Sequence, residues 1–275
     1  MINYNGNLEI KNQIYANRGF LYGDAIFETL KLYQGKILFL EDHYLRLMAG
    51  MRILRMKIPH EFTMEFIENQ CLITANANQI SESARIRFTV FRKEGGKYLP
   101  NDNTVNFLIE ASETPFDYNI NFNKYEIELY KDNYISQNIL SNLKTNNKII
   151  NVLASIFAQE NDYQNCLLIN DSKNIVEATN GNLFMYLNHS LITPPLSQGC
   201  INGVLRKQIL KISKNIGIDI VEKPISPFDL QSADELFISN VIIGLQPITK
   251  YRKKEYGFKI SQQIVDELNK LFLKN

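Results

Sequence analysis

Lys144 is the residue around which chemistry can be sought. It stands in the run Ser141-Asn142-Leu143-Lys144-Thr145-Asn146-Asn147, ahead of Ile149, Ile150, Val152, Leu153 and Ile156 at helical spacing. A lysine amine at the mouth of a helix can hold a carbonyl compound covalently and afterwards carry a proton. Ser and Asn side chains there also cap a helix, which gives the run a local reason of its own. Lys148 is a second amine close by. Cysteine and metal chemistry have less to build on. Cys71, Cys166 and Cys200 are widely spaced with no Cys-x-x-Cys pair, so neither a zinc site nor a disulfide framework is indicated, and a reducing cytoplasm suits them.

The elements that must position this lysine follow from periodicity and turn chemistry. Ile2 to Tyr4 and Leu8 to Ile10 flank Asn5-Gly6, the pattern of a hairpin. In Arg18-Gly19-Phe20-Leu21-Tyr22-Gly23-Asp24-Ala25-Ile26-Phe27-Glu28-Thr29-Leu30-Lys31 a turn leads into a β-rich segment, and Gln34-Gly35 then turns into a second one, Lys36 to Leu40. Helical spacing runs from Glu41 to Met56, and Pro59 with Glu61 opens a second helix to about Asn76. Ala84 to Arg92 alternates as a half-buried strand, and Thr104 to Glu110 makes another after Gly95-Gly96. A polar stretch with Pro115 marks a linker, so we expect a small N-terminal domain over 1–112, a linker over 113–118, and a large domain over 119–275 that carries Lys144.

Beyond the linker, strands are expected at Tyr125 to Tyr130, Cys166 to Asn170, Ile175 to Ala178, Leu183 to Tyr186, Ser190 to Ile192, Asp219 to Glu222 and Glu235 to Ser239. Besides the helix after Lys144, helices are expected at Ile201 to Ile216 and Lys259 to Leu273.

With 275 residues, 45% hydrophobic and 11% aromatic, the chain can bury a sizeable core. Thirty basic against 29 acidic residues give a net charge of +1 with no basic block, which offers nothing to a nucleic acid or a membrane surface. No basic-then-apolar leader and no run of about 18 apolar residues is seen, so we expect a chain neither exported nor anchored.

Six runs in order carry a resemblance to a known family. They are the Arg18 to Lys31 run, Asp42-His43-Tyr44-Leu45-Arg46-Leu47, the Lys144 stretch, Ile175-Val176-Glu177-Ala178-Thr179-Asn180-Gly181-Asn182-Leu183-Phe184, Thr193-Pro194-Pro195, and Ile201-Asn202-Gly203-Val204-Leu205-Arg206. Together they resemble the class IV aminotransferases, the fold-type IV group of pyridoxal-phosphate enzymes, over about residues 15 to 250. The resemblance implies an α+β architecture with a small N-terminal α/β domain and a larger barrel-like C-terminal domain. It also implies a cofactor in the cleft between them, a homodimer, and an amino compound as substrate.

Carried over residue by residue, it makes Lys144 the lysine that holds the cofactor, Glu177 the carboxylate that keeps the pyridine nitrogen protonated, and Asn182 a support of that turn. Arg46 and the helix start at Gly203, Val204 and Leu205 match the phosphate grip. Many members carry Pro, Thr and Thr where this chain has Asn202, Leu205 and Val241. Two hydroxyls are thus missing, Ser239 and Asn240 stand as replacements, and weaker cofactor retention is expected. Asn147 is placed near the cofactor's phenolic oxygen.

Branches of the family differ in reaction. The branched-chain enzymes usually follow the lysine with Gly-Asn-Tyr, whereas Lys144 precedes Thr145-Asn146-Asn147-Lys148. Members acting on D-amino acids use an arginine and a histidine around residues 90 to 100, where this chain has no histidine. Arg92-Lys93-Glu94-Gly95-Gly96-Lys97-Tyr98 resembles the Gly-Gly loop of the aminodeoxychorismate lyases, and the expectation is a lyase. An aminotransferase acting on a D- or branched-chain amino acid with a 2-keto acid acceptor is the alternative, and a non-catalytic interaction module the third reading. For a dicarboxylic substrate the candidates are Arg92, Lys97 and Thr29, with Tyr22 and Phe27 lining the pocket or filling the core. His43 is read as a packing or hydrogen-bonding residue.

Overall fold

The computed structural model describes residues 2–7 and 16–273. The chain divides into two compact units, Met1–Phe116 with Lys144–Asn147, and Asp117–Leu143 with Lys148–Asn275. Lys144 therefore belongs to the first unit, where the expected boundary had put it in the second.

In the first unit, in chain order, come β1 (Ile2–Tyr4), α1 (Arg18–Tyr22), β2 (Ala25–Tyr33), β3 (Lys36–Ile37), α2 (Leu40–Ile53), α3 (Met64–Ala77), β4 (Ser83–Arg92) and β5 (Val105–Glu113). The strands form one antiparallel sheet in the order β1-β5-β4-β2-β3. Alternation places Ile26, Leu30 and Leu32 of β2 with Ile86, Phe88 and Val90 of β4 in one core. Leu47, Met48 and Met51 of α2 and Ile67, Cys71 and Ala75 of α3 join it, each helix presenting one apolar stripe.

Local chemistry accounts for the departures from expectation. Leu8 to Ile10 lies outside the described residues. Arg18–Tyr22 is a helix because Asn17 Oδ1 accepts from the Phe20 N–H, and Gly23 closes it at φ +64°. The second hairpin arm stops at Ile37, since Leu40 already opens α2. Thr63 caps α3 through the Phe66 N–H, which moves its start from Pro59 to Met64.

Lys144–Asn147 runs beside β2. The Phe27 N–H donates to the Lys144 carbonyl at 2.9 Å, the Asn146 N–H donates to the Ala25 carbonyl at 3.1 Å, and Thr145 bridges Ile26. The segment borders β2, and the helix that follows begins only at Ile149.

The second unit contains β6 (Glu126–Ile135), α4 (Ile149–Glu160), β7 (Asn165–Asn170), β8 (Ile175–Ala178), β9 (Asn182–Leu187), β10 (Ser190–Thr193) and α5 (Val204–Asn215). It continues with β11 (Asp219–Glu222), β12 (Glu235–Asn240), β13 (Gly244–Ile248), β14 (Lys250–Tyr251), β15 (Lys254–Glu255) and α6 (Lys259–Leu273). Two mixed sheets, β11-β10-β9-β12-β13 and β15-β14-β6-β7-β8, share one core. Ile127, Leu129, Leu167 and Ile169 meet Leu183, Met185, Leu236 and Ile238 there, the packing of a barrel-like domain. β13, not among the expected strands, lies at a sheet edge, where its Pro247 is tolerated. α5 starts three residues later than expected because Gly203 is still extended and caps it.

Candidate active site

In the first unit the site grows from an acid in an apolar row. Glu28 takes the inward slot of β2 between Ile26 and Leu30, and a buried carboxylate needs partners. α2 supplies them from one face, three residues apart: His43 Nδ1 lies 2.7 Å from Glu28 Oε2, and Arg46 Nε donates to Oε1 at 2.8 Å while Nη2 donates to Oε2. Burial works against the charge on Glu28, yet Arg46 and His43 outweigh it and hold its carboxyl at about 2. Burial lowers the pKa of His43; Glu28 opposes this, while Arg46 and Lys144 reinforce it. The ring is neutral at pH 7, and its buried Nε2 has no partner among the described residues.

On the opposite face of β2, Phe27 carries two cations. The Arg87 guanidinium carbon lies 3.6 Å and Lys144 Nζ 4.5 Å from its ring centroid. Arg87 sits across from Thr29 in the β2–β4 register. It donates from Nη2 to Asn146 Oδ1 at 3.0 Å and from Nε to Thr89 Oγ1 at 3.2 Å. Burial lowers its pKa, with Glu110 opposing and Arg85 reinforcing the effect. Phe27, Thr29, Arg87, Asn146 and Lys144 thus form one surface that can hold an amino carboxylate by its two ends. Sequence reading missed Arg87; the signal was available in the period-two placement of Arg87 on the strand that faces Thr29.

Arg92 departs from the expected substrate role. It is buried, and its donors go to Asp24 Oδ2 at 3.0 Å, the Leu54 carbonyl at 2.7 Å, the Arg55 carbonyl at 3.3 Å and Asn103 Oδ1. Arg18 shares Asp24 and donates to the carbonyls of Gly95 and Lys97, fixing the Gly-Gly loop. Lys97 itself is exposed, and Tyr22, 39% exposed, lies against Tyr98 with the Arg18 guanidinium over its ring. Asn147 Nδ2 donates to the Gly23 carbonyl at 3.3 Å, and a Cβ on Gly23 would strike its amide, so its contacts are those of a turn.

In the second unit Glu177 is the last residue but one of β8 and is buried; its Oε2 accepts from the Ile201 N–H at 3.0 Å and from Asn182 Nδ2 at 3.3 Å. Asn182 also donates to the Ile201 carbonyl at 2.9 Å, which ties the acid to the chain entering α5. Lys148 is drawn down in pKa by burial, opposed by the charge of Glu177.

Gly203 caps α5 with no side-chain hydrogen bond, and no acid stands in the first turn. A Cβ on Gly203 would run into the Asn182 amide, so only glycine fits. Ser239 is the register partner of Asn182, and its buried Oγ has no partner among the described residues. A helix N-terminus lined by Val204 and Leu205, with an orphaned hydroxyl nearby, is an anion cradle that fits a phosphate. The side chain of Asn240 is committed to the turn, accepting from the Ile242 and Ile243 N–H groups at 3.0 Å, and Val241 is buried. Of the two replacement hydrogen-bonding groups, Ser239 is the one left available.

Comparison with known proteins shows the family. Residues 25–251 match the family model described as amino-transferase class IV, and the chain belongs to that family of pyridoxal-phosphate-dependent enzymes. It is 28% identical over 257 residues to a putative branched-chain-amino-acid aminotransferase of Methanocaldococcus jannaschii, covering 93% of this chain and 88% of that protein. It is 24% identical to an aminodeoxychorismate lyase of Vibrio harveyi, with 85% of each chain covered. Its fold matches the branched-chain aminotransferase of Thermoproteus uzoniensis at a TM-score of 0.90 and 22% identity, over 99% of this chain and 94% of that one. The fold is therefore that of the fold-type IV enzymes.

Proposed function

We propose that the chain is a lyase that removes pyruvate from 4-amino-4-deoxychorismate and leaves 4-aminobenzoate. The observation that supports this is Arg87, a cation for a substrate carboxylate, standing with Lys144 beside the Phe27 ring. In that substrate the amine and the ring carboxylate stand at opposite ends of a six-membered ring, whereas an α-amino acid bears both on one carbon. Arg87 can take the carboxylate of that substrate, and its amine lies toward the Lys144 end.

The cofactor, when bound, supplies an aldehyde for the substrate amine and a ring that draws electrons from the adjacent carbon. In the first unit Lys144 would hold it and Arg46 would offer a positive charge to its phosphate; in the second, Glu177 would pair with its ring nitrogen and Gly203, Val204, Leu205 and Ser239 would take the phosphate. Lys144 Nζ moves the proton from the carbon that bears the amine. Cleavage of the C–O bond on the neighbouring carbon would then leave an aromatic ring, which drives the step, and the departing enolpyruvate would take up a proton to become pyruvate.

A homodimer is part of the reading. α4 has no charge before Glu160 and is apolar on both sides: Ala154 and Ala158 are buried, while Ile149, Val152, Leu153 and Ile156 face outward. Spacing of three and four residues makes the outer set one stripe, which a second copy can cover. Cys71, Cys166 and Cys200 are buried free thiols, which supports a reducing, cytoplasmic setting. Among the described residues no helix is long and apolar enough to cross a membrane.

Transamination of an α-amino acid is the second reading, favoured by the 28% identity to the archaeal enzyme. The deciding assay is pyruvate release from aminodeoxychorismate in the absence of any 2-keto acid. Strict dependence on a keto-acid acceptor would overturn the lyase assignment.

A further inference from the structure

The second unit holds a groove of about 520 Å³ that shares no residue with the candidate active site. Its floor is apolar, made by the buried Leu129 of β6 and Ile169 of β7, with Pro227 and Phe228 on one wall. Phe228 is 85% exposed, a large ring left in water at the rim.

Cations come from three directions: Lys131 on β6, Lys173 in the β7–β8 turn, and Arg252 and Lys253 in the β14–β15 turn. No carboxylate lines the groove. Lys173 and Arg252 sit at the tips of their hairpins with φ of +63° and +55°. Lys173 Nζ lies 4.0 Å from the centroid of the Tyr134 ring. Arg252 reaches Glu128, outside the groove, at 3.4 Å in a half-exposed pair of small worth. Lys131 and Lys253 have no ion-pair partner among the described residues.

An apolar floor ringed by positive charge is complementary to an anion with an apolar body, and the volume is that of a small-molecule site. The aromatic rims at Phe228 and Tyr134 favour a flat ring over a branched chain. We propose that this groove binds a small aromatic carboxylate, its ring against Phe228 and Ile169 and its carboxylate among the four cations. This does not rest on the lyase reading, although the product of that reaction is of the same chemical class.

The test is calorimetric titration of 2-naphthoate into cofactor-loaded enzyme, with the visible absorbance of the cofactor followed in parallel. We expect one molecule bound per chain, an unchanged absorbance, and affinity at least about tenfold weaker for Lys173→Glu/Lys253→Glu. Neutral 2-naphthamide should bind at least about tenfold more weakly to the unaltered protein, a comparison that needs no variant. Equal affinity for the amide, unchanged affinity in the double variant, binding that perturbs the cofactor band, or no heat at millimolar naphthoate would each overturn the proposal.

Discussion

His43 Nδ1 and Glu28 Oε2 lie 2.7 Å apart inside the first unit, the ring 1% and the carboxylate 3% exposed. Arg46, 15% exposed, is the outward end of the same cluster, so a residue expected to reach a phosphate is held from behind by a buried acid.

That cluster makes stability acid-sensitive. Glu28 falls from an ordinary 4.5 to about 2, so its contribution is complete above pH 4.5 and is lost as pH drops toward 2. The shift corresponds to about 3 kcal/mol at ~1.36 kcal/mol per unit. His43 acts in the same direction: its pKa is lowered from 6.5, so the unfolded ring takes up a proton first and stability begins to fall below that pH. Urea midpoints measured from pH 7 to 3 should decline, and Glu28→Gln should flatten the curve below pH 4.5 while lowering stability at pH 7 by about 3 kcal/mol. A Glu28→Gln protein as stable as the parent at pH 7 would contradict the assignment.

Lys144→Ala should leave the fold intact and abolish covalent capture of the cofactor. Borohydride reduction followed by peptide mass analysis should find the pyridoxyl group on Lys144 in the parent and on no lysine in the variant. A label on Lys148 would shift the role to that amine.

Arg87 and Arg92 should separate cleanly. A charge-assisted bond is worth about 1.5–3 kcal/mol, so Arg87→Met should raise KM by about tenfold to a hundredfold with little change in melting temperature. Arg92→Met strips partners from Asp24, Asn103 and two carbonyls and should act mainly on melting temperature. Equal effects of both on KM would argue against the division.

Ser239→Ala tests the cradle through opposite signs. Removing a buried hydroxyl without a partner should leave the cofactor-free protein as stable or slightly more so, while cofactor affinity falls by about tenfold. Fluorescence titration with pyridoxal phosphate and thermal melts without it give both readings. Gly203→Ala, which drives a methyl group into Asn182, should weaken the cofactor in the same titration.

On α4, Val152→Asp with Ile156→Asp should dissociate the dimer, seen as a halved mass in sedimentation. A parent protein that sediments as a monomer removes that part of the reading.

Strand and helix identity were legible wherever an apolar period ran long, as in β4 and α6. Expectation failed where one side chain or one dihedral decided the outcome, as with Thr63 at the start of α3 or Asn17 at the start of α1. The site divided in the same way. Motif order located Lys144, Glu177, Arg46 and Gly203 in the chain. Where an arginine points depends on strand register, so Arg92 was chosen and Arg87 passed over although they are five residues apart on one strand. A short lysine segment alongside β2 was equally hidden, since pairing between residues 26 and 145 leaves no local trace.

That pairing bears on how the protein is made. The first unit includes Lys144–Asn147, which the chain reaches only after the first strand of the second unit has been synthesised. A nascent chain cut off at Phe116 has every helix of its first unit but an unfinished sheet border at Ala25 to Phe27. Fragments split at the linker should therefore be poor autonomous folders, and co-expressing residues 1–116 with 117–275 asks the second fragment to lend Lys144–Asn147 to the first.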